Sequence, residues 1–217
     1  MAYALIPVKE LPLAKARLAP VLDASDRRTL ALALFRDVLA AAMACPALEG
    51  IAVVTRDDDL LSMTAEAGAE GLREPGGLNE ALTTASQTLA RRAVDRLVVL
   101  AADLPLANAG DIEAVARADT DIVVVRSPDG GTNALALTPG AIPFRFGPDS
   151  AQRHIDAADE AGLRSLRLEL PALTLDIDTP EDLARLRATA AEGRSLGAHT
   201  AAALEQLGLT TPPVRGG

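Results

Sequence analysis

Apolar residues in this chain fall into short dense runs, separated by longer stretches where they recur every three or four positions. Strand-like runs cover Tyr3 to Val8, Ile51 to Thr55, Leu97 to Ala102, Asp121 to Arg126 and Ala134 to Leu137. Runs of this kind suit strands buried on both faces of a parallel sheet. Between the first two, Leu30, Leu34, Val38 and Ala42 share one face of a helix expected from about Ser25 to Ala44. Ser25 is its candidate N-cap and Cys45-Pro46 closes it. Further helices are expected over Leu60 to Ala67, from the Gly76-Gly77-Leu78-Asn79 loop to Arg92, over Asn108 to Ala118 and over Ser150 to Ala161. Leu173 to Asp178 reads as a last strand. Thr179-Pro180-Glu181-Asp182 then opens a final helix, with Thr179 as N-cap, Pro180 at the first helical position and Asp182 three beyond the cap. Strand alternating with helix is the signature of right-handed βαβ units and a mostly parallel sheet. The expected organisation is one α/β domain over residues 1–193. An Ala/Gly/Pro-rich C-terminal extension, 194–217, is expected to fray in part.

Composition narrows the function classes. A chain of 217 residues is long enough for one sizeable core. Its net charge of -9 is scattered rather than massed, which argues against a general nucleic-acid or membrane-surface binder. The single cysteine, Cys45, excludes an intrachain disulfide, disfavours a thiolate zinc cluster and suits a reducing cytoplasm. No apolar run approaches a membrane span, and the first residues lack the features of a signal peptide. A soluble, cytoplasmic protein is expected.

Chemistry-bearing residues gather at predicted strand ends, where ligands sit in open α/β sheets. The run from Leu97 ends in Asp103, with Pro105 barring further strand pairing. Asp103 there is either a metal-holding carboxylate or a cap of the next turn. Asp176 and Asp178, two apart on the predicted last strand, share one face. With Asp103 they form a hard oxygen set that suits magnesium, although Asp178 also fits the turn into the Thr179 cap. The loop after the first strand carries Lys9, Lys15 and Arg17, point charges and a fork that can wrap a triphosphate or remain a solvated basic loop. It is not a P-loop, since Gly-x-x-x-x-Gly-Lys-Ser/Thr is absent. Gly77 and Asn79 offer close backbone approach and an amide for a base edge, or a plain helix entry. Thr132 after two glycines, and Gly147 with Ser150 at a helix start, can cradle a phosphate or carboxylate. Ser150 equally fits an ordinary N-cap. His154, one turn into that helix, is either structural or an anion contact. Two histidines and one cysteine leave little material for a nucleophile–His–acid set.

Taken together, these motifs resemble one family. They are Ile6-Pro7-Val8-Lys9 with Ala14-Lys15-Ala16-Arg17-Leu18, Gly77-Leu78-Asn79-Glu80-Ala81-Leu82, Ala102-Asp103-Leu104-Pro105, Gly130-Gly131-Thr132-Asn133-Ala134-Leu135, Phe146-Gly147 with Ser150 and His154, and Leu175-Asp176-Ile177-Asp178-Thr179-Pro180. In this order, over roughly residues 3 to 185, they are similar to the guanylyltransferases of deazaflavin coenzyme (F-420) biosynthesis. The resemblance implies a single-domain GT-A-like (Rossmann-like) α/β fold, with a mixed, mostly parallel sheet and flanking helices. It implies transfer of GMP from GTP to a three-carbon phosphate, with release of pyrophosphate. Phosphoenolpyruvate leads as acceptor, followed by 2-phospho-L-lactate and 3-phosphoglycerate. Magnesium falls to Asp103, Asp176 and Asp178, the GTP phosphates to Lys9, Lys15 and Arg17, and the nucleoside to Gly77 through Asn79. The acceptor falls to Thr132, Gly147 and Ser150. Asp103, Lys15 and Arg17 are the residues expected to act in the transfer. The family often has a hydroxyl residue where this chain has Ala16.

The acceptor phosphate is already an anion at neutral pH and needs no general base, so positioning and charge neutralisation are the expected work. Two other classes stay open: a molybdopterin- or sugar-type nucleotidyltransferase, and a nucleotide-binding regulatory module without catalysis. A homodimer and a functional link to the next enzyme of the pathway also stay open as partner expectations.

Overall fold

The computed structural model describes residues 1–11, 14–73 and 76–210. Pro12 and Leu13 of the cationic loop, Glu74-Pro75 of the Gly-rich loop and the tail from residue 211 lie outside them. Six expected strands become seven observed ones: β1 (Ala2–Pro7), β2 (Gly50–Val54), β3 (Glu70–Leu72), β4 (Arg96–Leu100), β5 (Ile122–Arg126), β6 (Thr132–Leu137) and β7 (Ser165–Arg167). They form one sheet in the order β3-β2-β1-β4-β6-β5-β7. β1 pairs parallel with β2 and β4, β2 with β3, and β5 with β7. β6 runs antiparallel to both β4 and β5. Only Ser127 to Gly131 separate β5 from β6, too short a link for a parallel crossover, so a hairpin is forced.

Among the described residues eight α-helices flank the sheet: α1 (Ala24–Met43), α2 (Asp58–Glu66), α3 (Leu78–Ala90), α4 (Ala109–Arg117), α5 (Ser150–Glu160), α6 (Pro171–Thr174), α7 (Pro180–Ala191) and α8 (Ala198–Gln206). Period-two alternation sorts each strand between two cores. Val98 and Leu100 join Phe35, Val38 and Ala42 of α1 and Ile112 and Val115 of α4 on one face. Leu97 and Val99 join Leu82, Ala85 and Leu89 of α3 and Ala157 and Ala158 of α5 on the other. A third cluster packs Leu30 and Leu34 of α1 against Leu183 and Leu186 of α7 and Leu204 of α8. Among the described residues no helix is long and apolar enough to cross a membrane.

Four expectations need correction. The first helix is capped by Asp23, whose carboxylate accepts the Asp26 N–H at 2.8 Å, and not by Ser25. β3 and β7, three residues each at the sheet edges, are too short to leave a periodic signal. Leu173 to Asp178 is not a strand: Pro171 opens the one-turn α6, and Leu175 to Asp178 pairs with no strand. The Asn133 side chain instead donates to the Thr174 carbonyl at 2.9 Å and to Asp176 at 3.4 Å, side-chain ties in place of a ladder. Last, part of the expected tail is helical. Asp37, buried in α1, accepts the His199 and Thr200 N–H groups at 3.0 and 2.7 Å and caps α8 from a distant part of the chain. Gly197 permits this approach, since a Cβ there would stand 2.1 Å from the Asp37 carboxyl carbon.

Candidate active site

The carboxyl ends of β1, β2 and β4 meet the start of β6 along one edge of the sheet, and the strand order reverses direction between β1 and β4. A crevice is expected outside such a switch point. It holds a cavity of about 660 Å3. Lining it are Lys9, Lys15 and Arg17 after β1, Gly76 to Leu78 at the start of α3, Asp103 after β4, Thr132 at the start of β6, Gly147 and Ser150 at α5, and Asp176 and Asp178 before α7.

One oxygen from each of Asp103, Asp176 and Asp178 lies within 4.8 Å of the others. Asp103 does not cap α4; Asn108 does, accepting the Asp111 N–H at 2.9 Å. Ile177 between the other two acids is buried in the third core, so both carboxylates turn to the cavity. The shared face expected of a strand is thus kept by an unpaired segment. Thr179 and Asp182 form the expected capping box of α7, which leaves the Asp178 carboxylate for the cavity. Burial, and then the neighbouring charge of Asp103, push the Asp176 carboxyl up to about 6. Three carboxylates this close, one resisting ionisation, fit a hard divalent cation.

Lys15 departs from a simple phosphate-facing role. Its Nζ donates to Asp103 and, at 3.0 Å, to Asp178, and its side chain is 8% exposed. Burial alone would lower its pKa; the two carboxylates more than reverse this and raise it. The residue holds φ 56°, ψ 32°, the left-handed region disfavoured for side chains, at the head of a 3-10 turn over Ala16–Leu18. Lys9 and Arg17, by contrast, line the cavity and form no ion pair among the described residues. Hydrogen bonds from Ser127 and the Gly131 N–H, with the charge of Arg17 added, hold the Asp129 carboxyl below the usual range.

The other wall is built from hydroxyls. Ser150 is the first helical residue of α5, not its N-cap; the cap is Asp149, at φ 52°, and its side chain makes no capping bond. That leaves the positive end of an 11-residue helix beside the cavity. Ser150 Oγ lies 2.9 Å from Thr132 Oγ1, which is 3.1 Å from His154 Nδ1. Gly147, at φ 129°, forms the turn into the helix.

Two of the residues singled out stand outside the cavity lining. Asn79 does not line the cavity: its amide donates to the Phe146 carbonyl at 3.1 Å and accepts the Phe146 N–H at 2.8 Å. It therefore ties α3 to the loop before α5. His154 is fully buried behind Thr132, with Phe146 edge-on to its ring. Asn133 is a residue that sequence reasoning passed over. It donates to the Thr174 carbonyl and, at 3.4 Å, to Asp176, and so ties β6 to the acidic segment. Its place next to Thr132 in the Gly-Gly-Thr-Asn motif was the available signal.

With this geometry in place, residues 2–216 match the family described as guanylyl transferase CofC like. The chain belongs to that family. The phosphoenolpyruvate guanylyltransferase of Rubrobacter xylanophilus is 42% identical over 198 residues, covering 86% of this chain and 94% of the relative. That of Conexibacter woesei is 36% identical over 219 residues, covering 97% and 98%. The fold is shared more widely. A Desulfovibrio desulfuricans G20 structure assigned to the nucleotide-diphospho-sugar transferases superposes with a TM-score of 0.80 at 20% identity, covering 96% of both chains. A cytidylyltransferase from Leptospira borgpetersenii gives 0.60 at 13% identity, covering 100% and 98%. Family and neighbours thus agree with the mixed, mostly parallel nucleotidyltransferase sheet.

Proposed function

We propose that this CofC-like protein transfers GMP from GTP to phosphoenolpyruvate with magnesium and releases pyrophosphate, as a step of coenzyme F-420 biosynthesis in the cytoplasm. One observation carries the reading. A single cavity joins a three-carboxylate cluster, the cations Lys9 and Arg17 and a hydroxyl-lined helix N-terminus. That inventory suits two polyanionic substrates and a hard cation. The names of the similar relatives supply the choice of acceptor.

Asp103, Asp176 and Asp178 would hold the magnesium, which when bound neutralises phosphate charge. Lys9 and Arg17 face the triphosphate and oppose the negative charge that grows on the leaving pyrophosphate. Thr132, Ser150 and the start of α5 hold the acceptor's anionic groups. A phosphate oxygen of the acceptor attacks the α-phosphorus of GTP, a new P–O bond forms, and the bond to the β-phosphate breaks as pyrophosphate departs. The nucleophile is already ionised, so no side chain must accept a proton. Lys15 bridges Asp103 and Asp178 and so ties together the two distant segments that supply the acids. The backbone of Gly77, N-cap of α3, borders the cavity on the nucleoside side. Beyond residue 193, α8 packs through Leu204 against α1 and α7 in the third core.

The test is pyrophosphate release from GTP and magnesium with phosphoenolpyruvate, 2-phospho-L-lactate or 3-phosphoglycerate. Turnover with phosphoenolpyruvate is expected, and silence with all three would sink the proposal. Turnover only with a hexose phosphate would favour a sugar-type nucleotidyltransferase.

A further inference from the structure

Behind the hydroxyl wall runs a line of hydrogen bonds whose direction is set from outside the cavity. The Arg145 backbone N–H lies 3.0 Å from His154 Nε2. A peptide N–H can only donate, so Nε2 carries the lone pair. A neutral imidazole then bears its proton on Nδ1. The ring is fully buried, and burial, reinforced by the charges of Arg153 and Arg145, lowers its pKa to about 4. It is therefore neutral at physiological pH. The Nδ1–H donates to Thr132 Oγ1 at 3.1 Å.

Counting protons gives the consequence. Thr132 and Ser150 have two hydroxyl protons between them, and their mutual contact at 2.9 Å uses one. Because His154 donates, neither hydroxyl spends a proton on the ring. One hydroxyl donates to the other, and the second proton of the pair is free for the cavity. With the opposite tautomer, Thr132 would donate to Nδ1 and Ser150 to Thr132. The wall would then offer the cavity lone pairs alone, which repel an anion.

We infer that His154 is a positioning residue whose Nδ1–H tautomer, fixed by the Arg145 N–H, aims the Thr132–Ser150 pair as a hydrogen-bond donor at the anionic group of the acceptor. This rests on the acceptor site proposed above. His154 does not line the cavity and acts only through Thr132. The Asn79 clamp on Phe146, next to Arg145, holds the loop that supplies the fixing N–H.

Two substitutions separate the two ends of the ring. In His154→Asn the amide nitrogen takes the place of Nδ1–H and keeps the donor to Thr132. In His154→Gln the amide oxygen takes the place of Nε2, accepts the Arg145 N–H and leaves Thr132 without its donor. Losing a hydrogen bond to a charged ligand corresponds to roughly a tenfold change in affinity. We expect His154→Gln to raise the phosphoenolpyruvate KM about tenfold or more, with the GTP KM and kcat within about twofold. His154→Asn should stay near wild type. Nitrogen-15 NMR of the wild-type ring should report a protonated Nδ1 and a bare Nε2 at neutral pH. A protonated Nε2, an imidazolium, or equal acceptor KM values in the two variants would overturn the inference. Wild-type silence with every three-carbon phosphate would instead defeat the proposed function. The ring spectrum and a calorimetric titration with inorganic phosphate, tight for wild type and Asn and weak for Gln, would still decide the tautomer's role.

Discussion

Replacing Lys15 with Met tests how the acid cluster is held together. The substitution keeps an unbranched side chain one atom shorter but removes the charge between Asp103 and Asp178. A pair of unit charges about 4 Å apart interacts by about 4 kcal/mol at an effective dielectric near 20. Asp178 is 47% exposed, so solvent screens its share to about 1 kcal/mol or less. Asp103 is 21% exposed and keeps more of its share, while Lys15 recovers part of its own burial penalty. Breaking such a pair typically costs about 3 kcal/mol, because carboxylates are left facing one another. For a chain of this size that is a fall in Tm of about 6–12 °C. The variant should then respond more strongly to magnesium than wild type, since a cation at a hundred times its Kd restores about 2.7 kcal/mol. Thermal unfolding at neutral pH, first with a chelator and then across a magnesium titration, measures both effects. An unchanged or higher Tm with chelator, or equal magnesium shifts in the two proteins, would refute the reasoning.

Three further outcomes are expected. Ser150→Ala should raise the acceptor KM about tenfold while leaving the GTP KM alone, and equal effects on both would remove Ser150 from the acceptor site. His154 titrates at about 4 in the folded protein and near 6.5 when unfolded, so between those values the unfolded chain binds the extra proton. Its contribution is complete above pH 6.5 and declines as the pH falls to about 4, a loss of about 3 kcal/mol. Urea midpoints at pH 7 and 4.5 should drop less for His154→Asn than for wild type; the same drop in both would contradict the assignment. Asp37→Ala removes the carboxylate that accepts two N–H groups of α8, a local loss of about 2–3 kcal/mol. Amide exchange in α8 should then quicken about a hundredfold while the β1 and β4 amides hold. Uniform quickening would show that α8 is not a separately docked element.

The motifs were legible where their chemistry is local. The Leu97 run ending in Asp103 reads as a buried strand with a carboxylate at its tip, since six apolar positions and a proline fix both strand and stop. Thr179 to Asp182 announces its helix through bonds within four residues. Leu173 to Asp178 misled for the opposite reason. Its alternation is that of a strand, but β7 occupies the sheet edge beside β5, and the segment is held by Asn133 and by burial of Ile177. Asn79 reads as a nucleoside contact or a helix entry, and its bonds to Phe146, 67 positions away, are not written in the local pattern.

By itself, then, the sequence determined the α/β alternation, the strand ends that carry the chemistry and the types of residue gathered there. These depend on hydrophobic period, turn residues and capping, all written within a few positions of one another. Tertiary structure alone decided what each side chain faces. Lys15 pairs with acids 88 and 163 residues away, and His154 lies between the Arg145 peptide and Thr132 rather than in the cavity. The physical reason is that a charge or a tautomer is set by the atoms packed against it in space, which the local pattern does not encode.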